Sequence, residues 1–429
     1  MTEHQLLLFL VDVFILLAAA RIGGEVAARL KLPHHVGELV FGIMLGPSLF
    51  GWLWPAGFAA VFPPDVLQRS LLDIFSWTGV IFLAIISGFE TKLGILRKAG
   101  TAVAGAWVGG FGLPFISGFA LGMVFPSSLV PAGIDRPVFA LFVATAMSIS
   151  AIPVIARILM DLGLYKTRVG MVVLSAAMAD DTIGWVVLAI VAGLASGGLH
   201  ASSIIGTILF TILFVGLAFT LGQGLVSAAL RVGRRMRLPF SELSMMLFLV
   251  FGFAAITEAI GVHLVLGAFV AAILVGQDPD IETSSIDAIR GIGMAFFVPF
   301  FFAYTGIKVD LTTLQGAALV FTLAAVFVAC GSKIIGGGVG ARVGGLPKWE
   351  AISVGLGLNA RGAMELVIAA IGLSIGVLTQ STYAMIVLIA VLTTVMTAPL
   401  LRWSCRRAGL DITGAGLEAD SAAPLVDNI

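Results

Sequence analysis

The chain has 429 residues, of which 59% are hydrophobic and 11% charged, and its mean hydropathy is +1.10. A soluble domain carries about a quarter charged residues, so this composition excludes one and indicates a protein that crosses the membrane many times. The formal net charge is zero, which gives no reason to expect a nucleic-acid partner. The two cysteines, Cys330 and Cys405, are too few for a disulfide framework.

Hydropathy predicts an all-α protein with about thirteen transmembrane helices joined by short connections. The N-terminus lacks the basic segment of a signal peptide, so we expect the first helix to be retained. The polar tail after Arg407 is expected to be disordered. The predicted spans are 5–30, 33–51, 69–89, 100–125, 137–160, 167–195, 202–231, 240–260, 262–277, 288–307, 315–342, 349–377 and 380–401.

The Lys and Arg residues predict the orientation of these spans. Nineteen of them fall on one side of the thirteen-span topology, and only Arg69, Arg136 and Lys308 fall on the other. Basic residues collect on the cytoplasmic side of a membrane protein. We therefore expect a multi-pass protein of the cell (inner) membrane, with its N-terminus outside and its C-terminus in the cytoplasm.

Two adjacent carboxylates, Asp180 and Asp181, lie in the middle of the sixth predicted span. Asp180 is roughly 20 Å into the apolar run that starts near Thr167, close to the bilayer midplane. A carboxylate at that depth costs a few kcal/mol, so the pair is interpreted as an ion or proton site. Neighbouring helix positions point about 100° apart, so the two side chains are expected to meet different surroundings. A structural pair with internal partners is the alternative.

A lysine also lies deep in a predicted span. Lys333 is nine residues before Arg342, roughly 13 Å from the inner end of its span, which is too deep for easy snorkelling. A lysine at that depth requires a carboxylate, and either Asp180 or Asp181 lies at a matching depth. A lysine that does snorkel inward is the alternative.

The fifth and twelfth predicted spans are expected to be broken. The fifth contains hydroxyl residues followed by Pro153, and the twelfth contains three glycines with Asn359 and Arg361 in the segment 355–362. Non-helical backbone is tolerated at membrane depth only where it is buried in protein or lines a cavity. The placement of the two breaks predicts that spans two to six and nine to thirteen form two inverted five-helix repeats, as in many secondary transporters.

Three hydroxyls near the first break, those of Thr145, Ser148 and Ser150, are candidate ligands for a small monovalent cation. Each of them can instead bond to the backbone of its own helix, and this alternative stays open. Arg361 and Glu365 are four residues apart on one predicted helical face and can neutralise each other. The polar side chains of the second break are expected to support the site rather than touch the ion: Asn359, Arg361 and Glu365.

Several motifs, in order along the chain, resemble those of the monovalent cation:proton antiporter family, whose members include bacterial Na+/H+ and K+/H+ exchangers. The resemblance covers about residues 33–402. It implies that Asp181 is the principal carrier of ion and proton and that Lys333 pairs with Asp180. The motifs are His35–Gly51, Ser148–Leu159, Asp180-Asp181, Pro299–Asp310, Gly331–Gly336 and Leu358–Gly362.

The same resemblance implies a homodimer in which a mobile core moves against a scaffold. Its implied parts are scaffold and dimer helices at 1–99 and 238–310, core helices at 100–196 and 311–403, a linker helix at 197–237 and a cytoplasmic tail at 404–429.

We therefore expect a secondary active transporter, not an enzyme, that exchanges Na+ (or Li+ or K+) for H+ by alternating access in membrane lipid. Na+ is expected at Asp181, Asp180 and Ser150, without a cofactor beyond the transported ions. Because Asp180, Asp181 and Lys333 can all titrate, electrogenic exchange is expected. Potassium-efflux members tend to carry an amide at the position of Asp180, which favours Na+. A K+/H+ antiporter and a Na+-coupled solute symporter on the same scaffold are the alternatives.

Overall fold

The computed structural model describes residues 2–30, 32–91, 100–197 and 201–410, and within these ranges all regular secondary structure is helical. Eleven helical segments of the described ranges, some of them made of successive helices, are long and apolar enough to cross a membrane, or up to twelve when one bent pair counts as a single span. The predicted span 262–277 is a shorter apolar helix, Leu264–Gly276, so the predicted count of thirteen is not confirmed. The basic residues Lys31, Lys92, Arg97 and Lys98 and the tail residues 411–429 lie outside the described ranges.

The first half of the chain forms nine α-helices within the described residues. Side chains cap three of them: Thr2 accepts a hydrogen bond from the backbone N–H of Gln5, Asp65 accepts one from that of Leu67, and Thr167 accepts one from that of Gly170. These caps satisfy backbone donors that a helix start leaves free. The helices are α1 (Glu3–Arg29), α2 (His34–Leu45), α3 (Phe50–Leu53), α4 (Pro55–Val61), α5 (Val66–Glu90), α6 (Thr101–Val124), α7 (Arg136–Ser148), α8 (Ile152–Asp161) and α9 (Arg168–Gly197).

The second half continues with ten α-helices and two π-helical segments. The π segments, Ala218–Gly222 and Gly293–Phe297, connect successive helices without a turn. The helices are α10 (Ala201–Leu217), α11 (Gln223–Arg235), α12 (Ser241–Ala259), α13 (Leu264–Gly276), α14 (Thr283–Ile292), α15 (Val298–Ile307), α16 (Ala317–Val343), α17 (Lys348–Leu358), α18 (Ala363–Ser374) and α19 (Gln380–Arg407).

Both predicted helix breaks are present. The first lies between α7 and α8, where Pro153 takes the second position of α8 and its missing N–H costs no helix hydrogen bond. The second separates α17 from α18, whose axes are bent by 41°. Arg361 lies in this break, so the helical face that it was predicted to share with Glu365 does not exist.

Glycines let helices α6 and α16 pack closely together. A Cβ atom on Gly105 or Gly109 of α6 would overlap the carbonyl oxygen of Gly340 or Gly336 on α16. Only a residue without a side chain permits this distance between backbones, a common device in membrane helix packing. Helices α6 and α16 therefore pack backbone against backbone.

The helices associate in two groups, and α9 touches both. In one group α1 packs on α2, α2 and α5 pack on α15, and α5 packs on α13. In the other α6 packs on α7 and α16, and α17 packs on α16 and α19. Helix α9 packs on α17 in the second group and reaches α13 in the first, where the rings of Trp185 and Phe269 are 5.8 Å apart. The adjacent carboxylates therefore lie on the helix at the boundary between the groups.

Candidate ion-binding site

Asp180 is fixed in a buried network inside the second group of helices. Its Oδ2 atom lies 2.7 Å from Lys333 Nζ on α16 and 2.7 Å from Ser150 Oγ in the first break. The Lys333 ammonium also donates to the carbonyl oxygen of Ser148. The exposed fractions of the Lys333 and Asp180 side chains are 0% and 1%. A buried ion pair is stable only when further hydrogen bonds satisfy both ions, and here Ser150 and the Ser148 carbonyl supply them.

Ser150 connects Asp180 to the second break. Its Oγ atom lies 2.7 Å from Asp180 Oδ2 and 2.8 Å from the carbonyl oxygen of Leu358 at the end of α17. A hydroxyl has one proton, so it can donate to only one of these two acceptors at a time. When it donates to Leu358, the contact with Asp180 is a hydrogen bond only if the carboxyl carries a proton. The position of the hydroxyl proton is therefore linked to the charge of Asp180.

Asp181 faces the opposite direction, towards the first group of helices. Its Oδ2 atom accepts a hydrogen bond from the Ser87 hydroxyl on α5. Ser87 in turn accepts a hydrogen bond from the indole Nε1 of Trp185, at 3.3 Å. The two carboxylates are adjacent in sequence yet contact different helices, as expected from the angle between neighbouring helix positions. The Asp181 carboxylate therefore lies where the two groups of helices meet.

Cationic side chains occupy the end of α7. Arg361 donates from Nη1 to the carbonyl oxygen of Ala146 at 2.7 Å and from Nη2 to that of Met147 at 2.6 Å. The next carbonyl along the helix binds Lys333. A helix C-terminus carries partial negative charge on unpaired carbonyls, and these cations stabilise it where water is excluded. Arg361 also lies 3.4 Å from Glu365 Oε1, which balances its charge.

Uncharged groups form the hydrogen bonds of the backbone at the second break. The carbonyl oxygen of Ala360 accepts the backbone N–H of Ala151 at 3.2 Å, which joins the two breaks directly. Thr394 of α19 donates from Oγ1 to the carbonyl oxygen of Arg361 at 2.6 Å and accepts from its N–H at 3.2 Å. Neighbouring helices thus supply hydrogen bonds that the interrupted backbone lacks, as the membrane interior demands.

Two of the three predicted hydroxyl ligands bond to their own helix. Thr145 Oγ1 donates to the carbonyl oxygen of Leu141 at 2.7 Å, and Ser148 Oγ donates to that of Ala144 at 2.5 Å. This is the alternative that the sequence left open for each of them. Of the three, Ser150 is the one whose hydroxyl contacts a predicted site carboxylate.

Several buried oxygens near the two helix breaks have no hydrogen-bond partner among the described residues: Asp180 Oδ1, Asn359 Oδ1 and Glu365 Oε2. Buried polar atoms are normally paired, so water or an ion is the natural partner for such oxygens. Asn359 donates from its amide to the sulfur of Cys330 at 3.9 Å. The free oxygen of Asp180 is adjacent in the chain to Asp181, and we regard it as the second candidate ion ligand.

Sequence reasoning missed Ser87 and Trp185. Ser87 is the one hydroxyl in the apolar run from Gly79 to Phe89, which could have drawn attention to it. Trp185 follows Asp181 by four residues, so the two share a helical face. The backbone carbonyls that hold Lys333 and Arg361 gave no sequence signal, because every residue has one.

Comparison with known proteins identifies the family. The model of the family described as sodium/hydrogen exchanger, transmembrane, matches residues 13–403. The chain belongs to this family. The match confirms the resemblance predicted from the motifs.

The similarity extends along nearly the whole chain. The Na+/H+ antiporter NhaS4 of Synechocystis is 34% identical over 94% of this chain and 98% of its own length. The Na+/H+-K+ antiporter GerN of Bacillus cereus is 30% identical over 92% of this chain and 96% of its own. The chain also spans about half the length of several Arabidopsis thaliana cation/H+ antiporters.

A solved structure has the same fold. The sodium proton antiporter MjNhaP1 of Methanocaldococcus jannaschii superposes with a TM-score of 0.64, at 16% identity, over 95% of this chain and 99% of that one. The predicted fold class, an all-helical membrane protein with broken helices, is confirmed apart from the number of spans.

Proposed function

We propose that this member of the sodium/hydrogen exchanger family exchanges Na+ for protons by alternating access. The observation that carries the proposal is the pair of adjacent buried carboxylates, one fixed by Lys333 and the other on the boundary between two groups of helices. A buried carboxylate in a membrane span is a functional site by default. The names of NhaS4 and GerN, which describe those proteins as antiporters, support the same activity.

Asp181 is the proposed exchange site. A single carboxylate binds either a proton or a cation, so the two substrates compete and the protein never needs to hold both at once. The cation would take the position of the Ser87 hydroxyl proton against Asp181, with Asp180 Oδ1 as a further ligand. We assign Ser150 a role through Asp180, because its described contacts are with Asp180 and Leu358.

The pair of Asp180 and Lys333 provides a route to electrogenic exchange. A cation that attracts Asp180 weakens the hold of this carboxylate on Lys333. A buried ammonium without its counter-ion is strongly disfavoured, so the lysine would release a proton. One cation would then displace two protons, one from Asp181 and one from Lys333. This stoichiometry moves net charge across the membrane.

Alternating access requires one group of helices to move past the other. We propose that residues 1–99 and 238–310 form the scaffold and dimer surface, that 100–196 and 311–403 form the moving core, and that 197–237 link them. The hydrogen bond between Ser87 and Asp181 crosses this boundary, so it has to break during each cycle. The proposed orientation places the N-terminus outside the cell and the tail 404–429 in the cytoplasm, in a homodimer.

Transport by the purified protein in liposomes tests the proposal. A gradient of Na+, Li+, K+ or choline is imposed without any organic solute, and the internal pH is recorded. We expect proton movement opposite to Na+ and none with choline. A larger response to K+ would favour the K+/H+ alternative. Proton movement with none of the cations, or only with an added organic solute, would overturn the exchanger proposal.

A further inference from the structure

The end of α19 carries three arginines that have no ion-pair partner within the described part of the chain. Arg402, Arg406 and Arg407 are exposed, and with Pro399 and Trp403 they border an open cavity of about 510 Å³. These five positions are spaced three and four residues apart, so they share one face of the helix. Positive charge therefore collects on one face, and no carboxylate of the described ranges pairs with it.

Aromatic rings beside this face are typical of a membrane surface. The rings of Trp403 and Trp349 are 5.7 Å apart and nearly perpendicular. The Arg407 guanidinium lies 5.6 Å from the Trp349 ring and 5.8 Å from the Trp403 ring, within the range of cation–π attraction. Tryptophan is enriched at the level of the lipid headgroups. The stacking fixes Arg407 and leaves Arg402 and Arg406 free to bind.

An apolar stripe continues the same face towards the membrane interior. Leu392, Val395 and Met396 are exposed, and they precede Pro399 and Trp403 at the same helical spacing. The face therefore changes from apolar to cationic at its end. A free anion would contact only the arginines, whereas a phospholipid would contact both the arginines and the apolar stripe.

We propose that this face of α19 binds an anionic phospholipid. Arg402 and Arg406 would hold the phosphate, because the guanidinium matches its geometry with paired N–H donors. One acyl chain would lie along Leu392, Val395 and Met396. This inference is independent of ion exchange and of the side on which the tail lies, since it requires only that α19 ends at a membrane surface.

The test measures the melting temperature of the full-length protein in detergent. Phosphatidylglycerol is titrated in, with phosphatidylcholine of the same acyl chains, inorganic phosphate and glycerol 3-phosphate as comparisons. The double variant Arg402→Gln/Arg406→Gln removes the proposed phosphate contacts. The matched control is Arg231→Gln/Arg235→Gln, which removes two exposed arginines at the same spacing near the end of α11.

We expect phosphatidylglycerol to raise the melting temperature of the parent and the control alike, and to need about tenfold more lipid in the Arg402→Gln/Arg406→Gln variant. Arg402→Lys/Arg406→Lys should keep part of the response, which shows that a loss is not caused by misfolding. An equal response in the glutamine variant and the parent would overturn the proposal. An equal response to inorganic phosphate would overturn it too, since the ligand would then be a free anion.

Discussion

The two faces of α9 hold adjacent carboxylates in very different surroundings. On one face Asp180 is held by a lysine and a serine from helices of its own group. On the other face Asp181 meets a single described hydroxyl, that of Ser87, from the other group. The comparison teaches that neighbours in sequence can have different partners, and in the proposed mechanism Asp180 is the fixed group and Asp181 the exchangeable one.

The free-energy cost of losing a partner is also expected to be larger at Asp180 than at Asp181. Removing one partner of a buried ion pair costs about 3–5 kcal/mol, because the other ion is left uncompensated. Losing one hydrogen bond to a hydroxyl costs about 1 kcal/mol. Changes at Lys333 should therefore affect stability, whereas changes at Ser87 should affect the apparent affinity for the cation.

The largest effect is expected at Asp181, the proposed exchange site. Asp181→Asn keeps the volume of the side chain but removes its ability to carry a proton or a compensating charge, so it should reduce Na+-driven proton movement in liposomes to the level of empty vesicles. The control is Asp161→Asn, an exposed carboxylate paired with Arg157, which should retain exchange. Exchange retained by the Asp181 variant would remove this residue from the mechanism.

The ion pair between Asp180 and Lys333 is expected to contribute to the stability of the protein. Lys333→Ala should lower the free energy of unfolding by about 3–5 kcal/mol unless Asp180 takes up a proton, and adding Asp180→Asn should restore part of the loss. The measurement is a double-mutant cycle on melting temperature in detergent, with the exposed Lys348→Ala as the control. Additive losses would contradict the observed ion pair. The double variant should also move less charge per cation.

Ser150→Ala tests the hydroxyl on the fixed side. Loss of a contact worth about 1 kcal/mol should raise the half-saturating Na+ concentration roughly fivefold, with a smaller change in maximal rate. Thr145→Val and Ser148→Ala are matched controls, since both hydroxyls bond to their own helix, and they should change it less than Ser150→Ala does. An unchanged half-saturation in Ser150→Ala would leave this serine with a backbone role alone.

Ser87→Ala should act in the opposite direction and by no more than about fivefold, because its hydroxyl competes with the cation for Asp181. The half-saturating Na+ concentration should fall, as measured by the same liposome assay. A higher half-saturating concentration would instead make Ser87 a ligand of the ion.

The sequence predicted the features that depend on local chemistry. Apolar runs predicted most of the spans, Pro153 and the glycines of 355–362 predicted the two breaks, and depth along the chain singled out Asp180, Asp181 and Lys333. These signals lie within a single segment of chain. They can be read without knowing which helices are neighbours.

The contacts between segments that are distant in the chain could not be predicted in this way. Arg361 binds the carbonyl of Ala146, 215 positions earlier in the chain, and Ser87 reaches Asp181 across 94 positions. Such pairings depend on how helices pack, and a backbone carbonyl has no sequence signature. Hydropathy also overestimated α13, whose apolar residues are buried in a helix shorter than a full span.

Proton release on addition of Na+ tests the central claim most directly. The purified protein in weakly buffered detergent solution receives Na+ at constant ionic strength, and the protons released per protein are counted. The account predicts release from the parent and from Asp161→Asn, and none from Asp181→Asn. Equal release from Asp181→Asn and the parent would contradict competition between cation and proton at Asp181.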